Sequence, residues 1–395
     1  MKIQSIFVVL FVLFLNACKD KDAPSPAVKY LSSAEVVANQ SVEDFKNEAN
    51  ALGGGSDISQ ILILAKYDIS KIKLTYKTTT PLGDSVIASG ALFLPIGFEG
   101  DLALGMLAHG TLFNPLDAPS YFKSGTEGFA GTFLASTGMV IAMPDYLGYG
   151  ASENLAHPYE HAEGLATPNI DFVRAVREYL KQQNISTNQR MMVAGYSEGG
   201  YAGMATYKKM EESFPNEFNV VAGVFGAGAY HKSASFDYLI NTTRTPNANY
   251  NRSYLWVLLT YLELFDEPIA LNYIFKEPYA TSIGQNGYLT ELNVSLNQAL
   301  NTAFIEDYNS GKLANLKAFI AENDVFDWKP KANVKLIHGT ADEYVPYFNS
   351  ADAYDAMLAK GATKVTLDPV EGGTHGSSIS NYSISLITTF IGFKE

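Results

Sequence analysis

Gly195-Tyr196-Ser197-Glu198-Gly199 lies between the apolar run Met191-Met192-Val193-Ala194 and the helix-opening run Gly200-Tyr201-Ala202-Gly203-Met204-Ala205. A G-x-S-x-G pentapeptide between a short buried strand and a helix reads as a nucleophile elbow. The turn is so sharp that the serine takes strained dihedrals. Glycine is needed at 195 and 199, because bulkier neighbours two positions either side would clash. The strain lifts the Ser197 hydroxyl above the sheet and aims the helix N-terminus at a reacting carbonyl. Ser197 is therefore the candidate nucleophile.

A serine nucleophile needs a base, and the base needs an orienting acid. After an elbow of this kind they follow in the order serine, carboxylate, histidine. The chain has 6 histidines. His109 precedes the elbow and closes an apolar strand, and His157 and His161 lie in a loop upstream of it. His338 ends the apolar strand Val334-Lys335-Leu336-Ile337 and is better placed to pack there. His231 follows the elbow with no strand, loop and acid in between. His375 remains, in the loop Gly372-Gly373-Thr374-His375-Gly376 after the strand Val365-Thr366-Leu367. Glycines on both sides let its imidazole swing toward the serine.

The acid should follow the preceding strand, which runs into His338-Gly339-Thr340-Ala341-Asp342-Glu343-Tyr344-Val345-Pro346. Asp342 and Glu343 both fit by position. The H-G-x-x-D-x-x-V-P arrangement favours Asp342 and leaves Glu343 as the exposed neighbour. The interval from Ser197 to Asp342 is long enough to hold an inserted domain, and that from Asp342 to His375 holds one helix and one strand. Both suit a doubly wound sheet whose loops converge at the carboxyl ends of its strands. An oxyanion also needs two backbone donors. One is the N–H of Glu198, directly after the nucleophile. The other belongs to the loop His109-Gly110-Thr111, which ends the strand Leu102-Ala103-Leu104-Gly105-Met106-Leu107-Ala108, with Thr111 as the candidate.

The ordered set of motifs resembles the secretory lipase family of α/β-hydrolases. It comprises His109-Gly110-Thr111, Ala118-Pro119-Ser120, Pro144-Asp145-Tyr146-Leu147-Gly148-Tyr149-Gly150 and His157-Pro158-Tyr159, followed by a helix start from Asp171 to Arg177, the elbow, the Asp342 loop and the His375 loop. The resemblance spans about residues 100 to 380. It implies an esterase or lipase with a Ser–Asp–His triad and a lid between elbow and acid. Two departures stand out. The residue after the serine is often Gln in such proteins and is Glu198 here, which brings a carboxylate near the oxyanion hole. Many secreted members also carry disulfides, whereas this chain has 1 cysteine.

That cysteine is Cys18. Residues 1–17 combine a basic start at Lys2, an apolar core from Ile6 to Leu15 and a small residue at Ala17, which reads as a signal peptide too short to cross a bilayer. Leu15-Asn16-Ala17-Cys18 resembles a bacterial lipoprotein processing site, so lipidation is expected at Cys18. Residues 18–30 then form a tether, beginning Lys19-Asp20-Lys21-Asp22. The expected location is outside the cytoplasm, on the bacterial outer membrane through the lipid and exposed at the cell surface by the charged tether.

The 395 residues carry a net charge of −13, which argues against nucleic acid. No cluster has metal-ligand spacing and no phosphate loop is present, so neither metal nor cofactor is expected. Residues 71–79 and 85–95 read as an antiparallel edge hairpin. Strand–helix alternation then runs to about 229, stops between 230 and 326, and resumes from 327 to 395. The expected fold is therefore an α/β-hydrolase: a mostly parallel, doubly wound core of residues 31–229 and 327–395 with a helical cap or lid at 230–326. Within that cap, Tyr254-Leu255-Trp256-Val257-Leu258-Leu259-Thr260-Tyr261-Leu262 is expected as a buried helix whose Trp256 and Leu259 wall the acyl site. The expected reaction is hydrolysis of a small-molecule or lipid ester. Two other classes are a serine peptidase of the prolyl-oligopeptidase type and a binding protein on an inactive hydrolase fold. Nothing before residue 60 could supply a propeller for the first, and the second usually lacks a triad member.

Overall fold

The computed structural model describes residues 29–51, 61–124 and 127–395, so residues 1–17 and Cys18 lie outside the described residues. Among these, the strands are β1 (Leu31–Gln40), β2 (Asp68–Thr79), β3 (Ser85–Ile96), β4 (Leu102–Ala108), β5 (Val140–Pro144), β6 (Thr187–Tyr196), β7 (Asn219–Gly226), β8 (Asn333–Gly339) and β9 (Val365–Val370). They form one sheet in the order β1-β2-β3-β5-β4-β6-β7-β8-β9. From β5 to β9 every neighbouring pair is parallel. The first three strands and the β3–β5 junction are antiparallel.

Burial explains this arrangement. Every residue of β4 and β5 is buried, as a strand covered on both faces requires. Helices α1 (Val42–Ala51), α2 (Gly128–Ser136), α3 (Ala162–Gln182) and α4 (Glu198–Ser213) precede β7, and α12 (Phe348–Ala359) and α13 (Ile379–Phe393) flank β9. One apolar layer joins the sheet to α1, α2 and α13 through Phe45, Phe133 and Phe390. The other joins it to α3, α4 and α12 through Phe172, Tyr207 and Met357.

The hairpin β2–β3 pairs in register from Asp68↔Ile96 to Thr79↔Ser85, with Gly83 at φ 91° in its turn. It is not at the edge of the sheet, because β1 pairs outside it. This strand escapes a search for alternating burial: only Leu31 is buried, and Val36 and Val37 point into solvent. Its start is fixed instead by the Glu178 carboxylate, which accepts the backbone N–H groups of Lys29, Tyr30 and Leu31 at 3.0, 3.0 and 2.7 Å.

Between β7 and β8 the described chain is helical: α5 (Lys232–Asn241), α6 (Ala248–Leu264), α7 (Leu271–Ile274), α8 (Tyr279–Asn286), α9 (Leu296–Ala299), α10 (Thr302–Asn309) and α11 (Ala314–Ala321). Its apolar residues Leu255, Tyr261, Phe304 and Leu316 belong to the same cluster as α3 and α4. Polar bonds tie it down as well. Tyr261 donates its hydroxyl to the Glu160 carbonyl at 2.8 Å, Tyr201 donates to the Asn323 carbonyl at 2.7 Å, and the Asn323 side chain accepts from the Ala162 N–H at 2.9 Å.

Candidate active site

Ser197 joins β6 to α4 with φ 60° and ψ −126°, a conformation that L-residues avoid and that costs on the order of 1–3 kcal/mol. Its N–H donates to the Gly226 carbonyl at the end of β7 at 2.8 Å, which ties the turn to the sheet. The two glycines of the pentapeptide are required by backbone contacts. A Cβ at Gly195 would lie 2.0 Å from the Gly199 carbonyl oxygen, and one at Gly199 would lie 2.1 Å from that of Ala108.

The Ser197 hydroxyl lies 2.9 Å from Nε2 of His375, and Nδ1 of His375 lies 2.7 Å from Asp342 Oδ2. A carboxylate only accepts, so Nδ1 carries the proton and Nε2 is free to accept from the serine. The strands β8 and β9 bring these residues together at their carboxyl ends, beside the elbow. Asp342 is buried, whereas Glu343 is exposed. Oδ1 of Asp342 accepts the N–H groups of Tyr344 and Val345 at 2.8 and 2.9 Å. Its Oδ2 also lies 3.3 Å from Nε2 of the fully buried His338. Burial alone would raise this carboxyl, but hydrogen bonds from His338 and His375 outweigh it and hold it down at about 2. His338 packs at the end of its strand, as the sequence predicts, and its Nε2 also donates to the Val345 carbonyl at 2.8 Å.

The loop from His109 to Leu112 runs beside the nucleophile, and a Cβ at Gly110 would lie 3.9 Å from Cβ of Ser197. Side chains fix this loop along its length. The Glu127 carboxylate accepts the Gly110 N–H at 2.8 Å, the Thr111 and Tyr159 hydroxyls meet at 2.7 Å, and Tyr146 and Tyr149 donate to the carbonyls of His109 and Leu112. Glu198 is the first residue of α4, so its N–H has no acceptor within the helix.

Comparisons with known proteins bear on the fold. A hydrolase-described protein of Legionella pneumophila is 22% identical, with a TM-score of 0.81 over 92% of this chain and 98% of its own. The rice cell wall degrading esterase LipA from Xanthomonas oryzae is 22% identical, with a TM-score of 0.75 over 92% of this chain and 97% of its own. Lipase A of Candida antarctica in its closed state is 16% identical, with a TM-score of 0.63 over 91% of this chain and 83% of its own. The chain has the α/β-hydrolase fold. The profile of the prolyl oligopeptidase family matches residues 128–268 of it, a stretch that holds Ser197 but neither Asp342 nor His375. No curated protein matches the chain by sequence.

On this α/β-hydrolase frame the side chain of Glu198 has a partner that sequence reading dismissed. Nε2 of His157 lies 2.6 Å from Glu198 Oε1, and both side chains are almost fully buried. Nδ1 of His157 lies 2.8 Å from the Leu147 carbonyl and must donate to it. Nε2 and the carboxyl oxygen therefore share one proton. Oε1 of the carboxylate is held by His157, while Oε2 is buried with no hydrogen-bond partner among the described residues. Glu198→Gln restores the more common residue and keeps a donor to Nε2, so activity is expected within about fivefold of wild type. Glu198→Ala leaves His157 unpaired and is expected to lower stability by about 1–3 kcal/mol, read from thermal unfolding. Equal stability of the two variants would show that the pair holds nothing in place.

A partly enclosed cavity opens on Ser197, with Phe236, Val257, Tyr254 and Tyr344 among its walls. Its volume of about 40 Å³ has room for about three water molecules. Trp256 and Leu259 are not part of the wall, contrary to expectation. Trp256 stacks between Tyr159 and Tyr288, at 4.6 and 4.0 Å between ring centroids, and Val257 turns the next face of α6 to the cavity. Helical periodicity alone does not reveal which face of a helix that is apolar all round looks inward.

Proposed function

We propose that the chain is a carboxylic ester hydrolase that works through an acyl-enzyme on Ser197. The observation that carries this reading is the unbroken hydrogen-bonded line from Asp342 through His375 to Ser197. Ser197 attacks the ester carbonyl as His375 takes the hydroxyl proton. Asp342 holds the proton on Nδ1 and stabilises the imidazolium. The N–H groups of Thr111 and Glu198 receive the oxyanion. His375 then returns the proton to the leaving alcohol, activates water, and the acid leaves as Ser197 recovers its proton. No step draws on a metal or cofactor.

The narrow cavity supports short acyl groups over long ones. A p-nitrophenyl ester series is expected to peak at two to four carbons, and Val257→Ala should move the peak to longer chains by a graded amount of about 1–3 kcal/mol per contact. Trp256→Ala should alter the rate through the oxyanion loop and leave the chain-length profile in place. A peptidase reading draws on the match to the prolyl oligopeptidase profile. Peptide substrates run beside the esters distinguish the two, and cleavage of peptides alone would overturn the ester reading.

The anchoring part of the reading concerns residues outside the described structure. Cys18 is proposed to carry lipid and to hold the enzyme on the bacterial outer membrane through its tether. Globomycin treatment or Cys18→Ala is expected to block maturation. A mature N-terminus other than residue 18, determined by mass spectrometry, would exclude the anchor.

A further inference from the structure

A buried ion pair forms part of the cavity wall beside Ser197. Glu160 comes from the loop before α3 and Lys232 from the first position of α5, and the Glu160 carboxylate contacts the Lys232 amine through Oε2. Both residues are buried, at 8% and 1% exposure. They are the only charged residues among the described ones that line the cavity; most of the remaining wall is apolar or aromatic. Glu160 also sits at φ 52°, a left-handed conformation uncommon for this residue type. Withdrawing two charges from water costs more than their attraction commonly returns. An apolar pair of similar volume would fasten the insertion at least as well. A charged pair kept here, at a strained position facing the nucleophile's cavity, points to recognition.

The hydrogen-bond inventory says of what. Lys232 is engaged by Oε2, and its amine also lies over the Tyr201 ring at 4.4 Å. The second carboxylate oxygen, Oε1, has no hydrogen-bond partner among the described residues, and the side chain keeps 10% exposure. An ionised carboxyl oxygen only accepts, so it reads a donor. The partly enclosed cavity suits the acyl group, which stays bonded to Ser197 until water arrives, while the alcohol needs an open way out. We propose that Glu160, held by Lys232, accepts a hydrogen bond from a hydroxyl on the acyl group, so that the enzyme acts on esters of short hydroxy acids. This rests on the ester-hydrolase reading.

The test compares p-nitrophenyl esters in two matched pairs: 3-hydroxybutyrate with 3-methoxybutyrate, and 3-hydroxypropanoate with 3-methoxypropanoate. The methoxy member keeps the oxygen and loses the donor. In at least one pair the wild-type kcat/KM is expected to favour the hydroxyl by about tenfold or more, since a site built to pair a hydroxyl rejects the analogue that lacks it. The double variant Glu160→Met/Lys232→Met removes both charges at once, and its ratio is expected to fall within about twofold of unity. Glu160→Gln has a single oxygen, which the Lys232 amine takes, so its amide N–H₂ faces the cavity and the preference is expected to fall to within about threefold of unity. Wild-type ratios within twofold in both pairs, with butyrate still turned over, would overturn this inference alone, as would a preference undiminished in the double variant. Labelling of Ser197 by a fluorophosphonate with none of the esters hydrolysed would overturn the ester reading and this inference with it.

Discussion

Ser197→Ala is expected to lower kcat for ester hydrolysis by about 10⁴–10⁶ while leaving the fold intact. The hydroxyl makes one hydrogen bond, to His375, and supports nothing else in the sheet. Fluorophosphonate labelling should vanish in the same variant. A folded variant retaining more than a tenth of the activity would exclude Ser197 as nucleophile. The backbone strain allows a second arm. At φ 60° and ψ −126° glycine is unstrained where alanine is not. Ser197→Gly should therefore be equally inactive but about 1 kcal/mol or more stabler than Ser197→Ala, so that activity and stability part company at one position.

Asp342→Asn is expected to cost about 10⁴ in kcat. Asparagine can still accept the Tyr344 and Val345 N–H groups, but its amide then faces Nδ1 of His375. That nitrogen must accept, the proton moves to Nε2, and the base no longer takes the serine proton. The variant should also lose stability, because its amide also faces Nε2 of the buried His338 at 3.3 Å, a nitrogen that donates to the Val345 carbonyl and offers the amide no acceptor. The wild-type carboxyl titrates at about 2, below its ordinary 3.8. Its depressed value favours the native state above about pH 4, and the benefit of about 2–3 kcal/mol fades as pH falls toward 2. Acid unfolding of the asparagine variant should lack that component. Glu343→Gln, on an exposed neighbour, should change activity by no more than about twofold. A reversal of the two carboxylates' effects would reassign the acid.

The parts of this molecule that could be read from sequence are those where local chemistry leaves one solution. The elbow is such a place, since Gly195 and Gly199 meet backbone atoms that no side chain could displace. The pairing of β2 with β3 is another, with Pro81 and Gly83 in its turn and alternating burial along β2. What stayed hidden depends on partners far apart in the chain. The strand β1 has almost no buried face and is held by Glu178 from α3. His157 reads as a loop histidine until Glu198 is placed against it. Glu160 and Lys232 are ordinary surface types whose burial follows only from docking the helical insertion. His338 carries an apolar strand signal that is correct, yet says nothing of the carboxylate across from it.

The way the helical insertion is fastened bears on how a substrate arrives. Tyr261, Tyr201, Asn323 and the Glu160–Lys232 pair stitch it to the core at several buried points, and its apolar side chains are continuous with those under the sheet. Swinging it aside would break all of these contacts together and open its apolar side chains to water. It behaves as masonry rather than as a door. If the insertion stays fastened in this way, the rate of ester hydrolysis is expected to rise smoothly with dissolved ester, without a jump where the ester begins to form micelles.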